Sequence, residues 1–149
     1  MKPTNRLHLL CLSLLASLSF AHEGVELGPN GGRILEFSKN ETLHGELTVK
    51  DDRFHIALLD KDMKPLALAE QKLTATTGDR EAPRKLEVGR DARGFVLPSV
   101  KPGEWLILQF RNSPDEKAVT ARFEYNTATC EECQSPEWIC KCRPEAAKK

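Results

Sequence analysis

Apolar and polar residues alternate along most of the chain beyond residue 32. Residues 43–49 and 53–59 place an apolar side chain at nearly every second position. Because successive side chains of a β-strand point to opposite faces, this period of two predicts half-buried strands. Shorter segments of similar character predict further strands over residues 33–37, 72–77, 84–88, 94–97, 105–110 and 119–125.

The first two alternating segments form a predicted hairpin, since Lys-Asp-Asp at residues 50–52 separates them. Val49 placed opposite Phe54 also puts Leu47 opposite Ile56. A slip of one residue would turn the apolar set outward, so the hydrophobic pattern fixes this register.

Turn residues delimit the other elements. The stretch GPNGG at residues 28–32 predicts a tight turn, and Pro102-Gly103 predicts another between the strands that flank it. Residues 62–70 contain Pro65, which removes a backbone donor and favours a loop or an edge strand.

Seven or eight short strands without a long helical pattern predict an all-β fold, an antiparallel immunoglobulin-like β-sandwich. We assign the sandwich to residues 32–125, with an irregular lead at 22–31 and a short Cys-rich C-terminal tail at 126–149. The linker at 126–129 is small and polar, so we expect the sandwich to survive deletion of residues 130–149.

Residues 1–21 have the layout of a secretory signal peptide. Lys2 and Arg6 precede an apolar run over residues 7–20, and Ser19 and Ala21 are the small residues of a cleavage site. The run is short for a membrane span. Cleavage after Ala21 predicts a periplasmic or secreted protein that does not span the membrane.

The charge of the mature chain excludes one class of partner. Without Lys2 and Arg6, twenty basic residues face 22 acidic ones, a formal charge of −2. No strong field of either sign results, so we expect no nucleic-acid partner. Loss of Cys11 leaves four cysteines, an even number, in an oxidising compartment.

Two motifs carry a family resemblance. The GPNGG turn at residues 28–32 and the stretch LLDKDMKP at 58–65 resemble those of uncharacterised small secreted bacterial β-sandwich proteins, associated with heavy-metal or copper efflux. The resemblance covers roughly residues 28–125 and implies a metal ion and an envelope or efflux-system protein as partners. This chain differs in two ways, because its lead has one histidine where relatives often have several, and because it carries the cysteine tail.

His22 would be the first residue of the mature chain, so its α-amino group and its imidazole could chelate one Cu(II) ion. A second histidine would complete a histidine brace, similar to that of periplasmic copper-resistance proteins and copper-dependent polysaccharide monooxygenases. In the predicted hairpin His44, Glu46 and His55 share one face and are the candidates. The alternative is that this face is simply solvated.

The second candidate site is the segment CEECQSPEWICKC. It places Cys130, Cys133, Cys140 and Cys142 within 13 residues. Thiolates are soft donors that suit Zn(II) or Cu(I). The alternative is two disulfides, which we favour because export exposes thiols to oxidants, although the spacing does not choose the pairing.

No sequence motif supports an enzyme, since the chain has no Gly-x-Ser-x-Gly, phosphate-loop or His-Glu-x-x-His sequence. The sequence therefore predicts a non-enzymatic metal-binding protein, with copper as the metal, that acts in metal tolerance or delivery. The alternatives are an envelope protein-interaction module with a disulfide-stapled tail and, ranked last, a copper oxygenase that uses His22.

Overall fold

The computed structural model describes residues 24–79 and 81–142, which form ten strands and one 3₁₀ turn. The strands are β1 (Arg33–Glu36), β2 (Leu43–Lys50), β3 (Arg53–Asp60), β4 (Pro65–Leu66), β5 (Lys72–Thr77), β6 (Arg84–Leu86), β7 (Gly89–Arg90), β8 (Gly94–Pro98), β9 (Trp105–Arg111) and β10 (Val119–Glu124); the 3₁₀ turn is Glu137–Ile139. Among these residues no helix has the length and apolar character needed to cross a membrane.

The strands form two antiparallel sheets. The larger has the order β1-β2-β3-β8-β7, with β4 also paired to β3, and the smaller has the order β10-β9-β5-β6. The all-β prediction is therefore confirmed, and the two sheets are consistent with a β-sandwich. The immunoglobulin-like topology stays a prediction. The two-residue strand β4 contains Pro65, which the sequence placed in a loop or edge strand.

The β2–β3 hairpin has the predicted register. Val49 pairs with Phe54, and Leu47 pairs with Ile56. The turn consists of Asp51 and Asp52, both with a left-handed backbone at φ 51° and 55°. A two-residue turn with two positive φ angles matches the right-handed twist of the strands that it joins.

The predicted strand over residues 84–88 is divided between the sheets. Strand β6 pairs with β5 in the smaller sheet, whereas β7 pairs with β8 in the larger one. The chain passes from the smaller sheet to the larger one at Glu87, which is exposed, and Val88, which packs against the core. Propensity alone does not mark such a crossing, because both halves are extended.

The core lies between the sheets, and aromatic rings join them. Phe37, just after β1, stacks on Phe110 of β9 with ring centroids 4.4 Å apart, and Phe54 of β3 meets Phe123 of β10 edge to face at 6.4 Å. Gly45 faces the same core, and a Cβ atom there would collide with the Phe37 ring. The glycine in the alternating pattern of β2 therefore makes room for an aromatic ring.

The C-terminal segment is part of the same core. Trp138 is 7% exposed, and its ring lies 6.1 Å from that of Phe123 and 5.5 Å from that of Tyr125. Its backbone N–H donates to Asn126 O at 2.9 Å. The polar linker indicated an independent tail, but the tail supplies a buried tryptophan, so we expect its deletion to destabilise the sandwich.

Candidate metal centre

The four cysteines of the tail bring their sulfur atoms into one cluster, with all four Sγ atoms within 4.8 Å of one another. The Sγ–Sγ distances are 3.4 Å for Cys130–Cys140, 3.6 Å for Cys133–Cys140 and 3.8 Å for Cys130–Cys142. A tetrahedral site with metal–sulfur bonds of about 2.3 Å has sulfurs about 3.8 Å apart. The cluster thus has the size of a tetrathiolate metal site.

A tight turn positions the first two cysteines. The backbone N–H of Cys130 donates to Ser135 O at 2.8 Å, and Gln134 N–H donates back to Cys130 O at 3.0 Å. Gln134 takes a left-handed backbone with φ 59°. This loop turns Cys133 back toward Cys130, which the Cys-x-x-Cys spacing allows.

The 3₁₀ turn Glu137–Ile139 positions the other two cysteines. It begins after Pro136 and ends where the backbone N–H of Cys140 donates to Glu137 O at 3.1 Å. The N–H of Cys142 then lies 3.4 Å from the Sγ atom of Cys140. A backbone donor at this distance stabilises negative charge on a thiolate, as a metal ligand requires.

One contact from the sandwich and one from the lead hold the cluster in place. Arg33 of β1 donates from Nη1 to Trp138 O at 2.9 Å, and its guanidinium lies 5.1 Å from the centre of the Phe123 ring. Burial lowers the pKa of the Arg33 guanidinium. In the lead, the backbone N–H of Val25 donates to Cys140 O at 2.8 Å.

The surroundings of Cys133, Cys140 and Cys142 shift the pKa values of their thiols in different directions. A backbone N–H of Ser135 lowers the pKa of Cys133 to about 6, below the pKa values of Cys140 and Cys142. Hydrogen bonding to Cys133 and Cys140, together with desolvation, raises the pKa of Cys142. For Cys140 the N–H of Cys142 favours the thiolate, but desolvation and the sulfurs of Cys130 and Cys133 outweigh it and raise the pKa.

Each of the four cysteines has a free thiol in this structure. The Sγ–Sγ distances given above exceed the disulfide bond length of about 2.05 Å. The arrangement is compatible with the alternative soft-metal site. The pairing into two disulfides stays a prediction.

His44 is engaged within the sheet. It is 4% exposed, and its Nδ1 atom lies 2.9 Å from Glu36 Oε1, a hydrogen-bonding distance between cross-strand neighbours. Leu59, directly across on β3, is fully buried. The interpretation of this face as solvated is therefore wrong at His44.

The same interpretation is wrong at Glu46, which is 1% exposed. Its carboxylate accepts hydrogen bonds from the backbone and side-chain nitrogens of Asn30, both at 2.7 Å, and from Gly32 N–H at 3.0 Å. A Cβ atom at Gly28 would collide with this carboxylate. The GPNGG turn thus covers Glu46, and its hydrogen bonds account for the burial of the charge.

His55 pairs with Thr48 across the hairpin, as the predicted register requires, and lines a cleft of about 180 Å³ that Glu46 also lines. The Nδ1 atom of His55 lies 3.6 Å from Asp91 Oδ2. The backbone N–H of Arg93 donates to Asp91 and lowers the pKa of its carboxyl, and the nearby His55 lowers it further.

His22 lies outside the residues that the structure describes, as does the cleavage site after Ala21. Within residues 24–79 and 81–142, one group of three or more His, Cys, Asp or Glu side chains is close enough to hold a metal ion, and it consists of the four cysteines of the tail. Among the described residues, His44, Glu46 and His55 do not belong to such a group. The histidine brace stays a prediction.

Sequence reasoning missed Arg33 and the backbone of Val25, which fix the cluster to the sandwich. Trp138 carried the available signal, since a large aromatic residue in a polar segment rich in cysteine needs a partner to pack against. The identity of that partner follows from tertiary contacts alone.

Comparisons of the chain with protein-family models, with curated proteins and with solved structures found no match.

Proposed function

We propose that this chain is a non-enzymatic metal-binding protein that holds one thiophilic metal ion, Cu(I) or Zn(II), at Cys130, Cys133, Cys140 and Cys142. The observation that carries the proposal is that all four Sγ atoms lie within 4.8 Å of one another. Soft thiolate ligands select for Zn(II), Cu(I) or iron–sulfur clusters, and a single tetrahedral ion fits four sulfurs at this spacing.

A binding role is supported over catalysis by the ligand set. Catalytic zinc sites keep one coordination position for water or substrate, whereas four cysteines fill all the positions of a tetrahedral ion. The resemblance of the sandwich to proteins associated with copper efflux favours copper. The signal-peptide pattern favours a periplasmic or secreted protein that serves in metal tolerance or delivery, with an envelope or efflux-system protein as partner.

The test is a metal titration of the protein beginning at His22, purified with its thiols reduced and without oxygen. We expect one equivalent of Co(II) to give the strong visible absorption of a tetrahedral thiolate complex, and Zn(II) or Cu(I) to displace it. Cys140→Ser should abolish the spectrum, whereas Ser135→Ala, which keeps all thiols and the backbone N–H at residue 135, should preserve it. A reduced protein that binds no metal ion refutes the proposal.

A second candidate function is an envelope interaction module whose tail is stapled by two disulfides. The same sulfur distances favour it, because atoms 3.4–3.8 Å apart need only small movements to form disulfide bonds. Intact-mass measurement of the exported protein after alkylation separates the two. Cysteines that become alkylated only after chemical reduction indicate disulfides. Cysteines that become alkylated after addition of a chelator alone indicate bound metal.

A further inference from the structure

The four sulfurs of the cluster form two pairs that differ in exposure. Cys130 and Cys140 are buried, with 5% and 2% of their surface exposed, whereas Cys133 and Cys142 are partly exposed. A metal ion at the cluster would therefore have one side against the protein and one side toward solvent.

The buried pair is also anchored by its backbone. Cys130 donates to Ser135 O and accepts from Gln134 N–H in the turn. Cys140 donates to Glu137 O and accepts from Val25 N–H of the lead. The two Sγ atoms of this pair lie 3.4 Å apart. These contacts give the site a fixed inner half.

We propose that the metal ion at this cluster is exchangeable, and that it enters and leaves through the Cys133–Cys142 side by ligand exchange with the thiolate of a cysteine-bearing acceptor. The inference deepens the proposed function and rests on it. It assigns a chemical class to the partner, namely a protein or peptide that presents an accessible thiol.

The exchange conserves charge and electrons. An incoming thiolate donates a sulfur lone pair to the metal ion and forms a new metal–sulfur bond. The bond to Cys133 Sγ then breaks, and this sulfur keeps its electron pair as a thiolate. The oxidation state of the metal does not change. The acceptor thiol loses one proton when it binds the metal, and the released Cys133 thiolate can take up one proton, so the two protons balance.

The partial exposure of Cys133 gives an incoming group access to the bond that must break. Cys130 and Cys140 would keep the ion bound while the outer ligands are replaced one at a time.

The first experiment measures the order of alkylation in the zinc-loaded, full exported protein. Iodoacetamide in limiting amount should label Cys133 and Cys142 at least about tenfold faster than Cys130 and Cys140, because buried sulfurs react only after local opening. Mass spectrometry with peptide fragmentation assigns each label. Equal rates at the four positions, or faster labelling of the buried pair, would overturn the inference.

The second experiment measures zinc transfer to a chromophoric indicator with glutathione as the incoming thiol. The transfer rate should rise in proportion to glutathione concentration, whereas S-methylglutathione, which has no thiol, should leave the rate unchanged. A rate independent of glutathione refutes thiol-driven exchange. If the protein binds one zinc ion but the transfer rate does not depend on glutathione, the proposed function still holds. If the protein binds no zinc, both proposals are refuted.

Discussion

Arg33 of the first strand donates a hydrogen bond to the carbonyl of Trp138, with Nη1 and O 2.9 Å apart, although 105 residues separate the two in sequence. The contact joins the larger sheet to the segment that carries the cysteines. The guanidinium also lies over the Phe123 ring, so it bridges the tail and the core. The position of the candidate metal centre therefore depends on a residue at the start of the sandwich.

Arg33→Met should loosen this attachment. The change leaves the Trp138 carbonyl without its donor, and since Arg33 is partly exposed and water can replace it in part, we expect a loss of about 1–2 kcal/mol in the free energy of unfolding. Urea denaturation measures the loss. Arg53→Met, at an exposed position on β3, is the control and should change little. Equal effects in both variants would contradict the bridging role.

Trp138→Ala should be more destabilising. Removal of a buried tryptophan side chain costs about 3–5 kcal/mol through lost packing and the cavity left behind. Trp105 is 47% exposed, so Trp105→Ala is a matched control that should shift stability by at most about 0.5 kcal/mol. Circular dichroism during thermal unfolding compares the two. A Trp138→Ala protein as stable as the control would show that the tail folds independently of the sandwich.

Glu46→Gln tests the contact between the GPNGG turn and the sheet. Glutamine can keep one oxygen for the backbone N–H groups of Asn30 and Gly32, but those bonds are weaker to a neutral oxygen than to a carboxylate. Its amide nitrogen also replaces the oxygen that accepts from Asn30 Nδ2, and we expect a total cost of about 1–3 kcal/mol. Amide hydrogen exchange at Asn30 and Gly32 should become faster. Glu87→Gln, at an exposed position, is the control. Unchanged exchange would show that Glu46 does not hold the turn.

Metal affinity of the cysteine cluster should rise with pH. A bound sulfur must be a thiolate, so each thiol that still holds its proton releases it on binding. The raised pKa values of Cys140 and Cys142 keep those thiols protonated near neutrality, whereas the pKa of Cys133 is about 6. Binding therefore releases at least two protons above about pH 7, and an additional one, from Cys133, below about pH 6.

Competition titrations with Co(II) and a chelator of known affinity, between about pH 5 and 8, measure this dependence. The logarithm of the affinity should fall more steeply below the pKa of Cys133 than above it. An affinity that does not change with pH would show that the sulfurs are not the ligands.

The histidine brace makes a separate prediction for Cu(II). If His22 is the mature N-terminus, its amine has a reference pKa of roughly 7.7–8.0 and must lose a proton to bind, so affinity should weaken as pH falls. One residue added before His22 should impair binding, and so should His22→Ala. Calorimetry at matched pH with the thiols kept oxidised prevents the cluster from competing for copper. Equal affinity in the native and extended proteins would refute the brace.

Completing that site requires a second ligand, and the structure affects the choice among the candidates. His44 lies against Glu36, and Glu46 already accepts three hydrogen bonds. His55 is partly exposed beside a cleft. We therefore expect His55→Ala to affect Cu(II) binding more than His44→Ala does.

The sequence by itself determined the local structure of this protein. Alternation with a period of two predicted the strands, and the Asp51-Asp52 turn with its flanking apolar residues fixed the β2–β3 register that the structure shows. These features follow from neighbouring residues, because backbone sterics and the alternation of side chains act over a few positions. The cysteine spacing likewise indicated a soft-metal site as one of two alternatives.

Only the tertiary structure decided what covers each face and what meets across the core. The alternation placed His44 and Glu46 together, but it did not show that Glu36 of β1 lies against the first or that the GPNGG turn caps the second. Trp138 contacts Arg33 because the fold brings together segments that are 105 residues apart. The four sulfurs form one cluster because the folded tail brings the two pairs of cysteines together. Burial is a property of the packed molecule, so a pattern that assigns residues to a face leaves open whether water or protein lies against it.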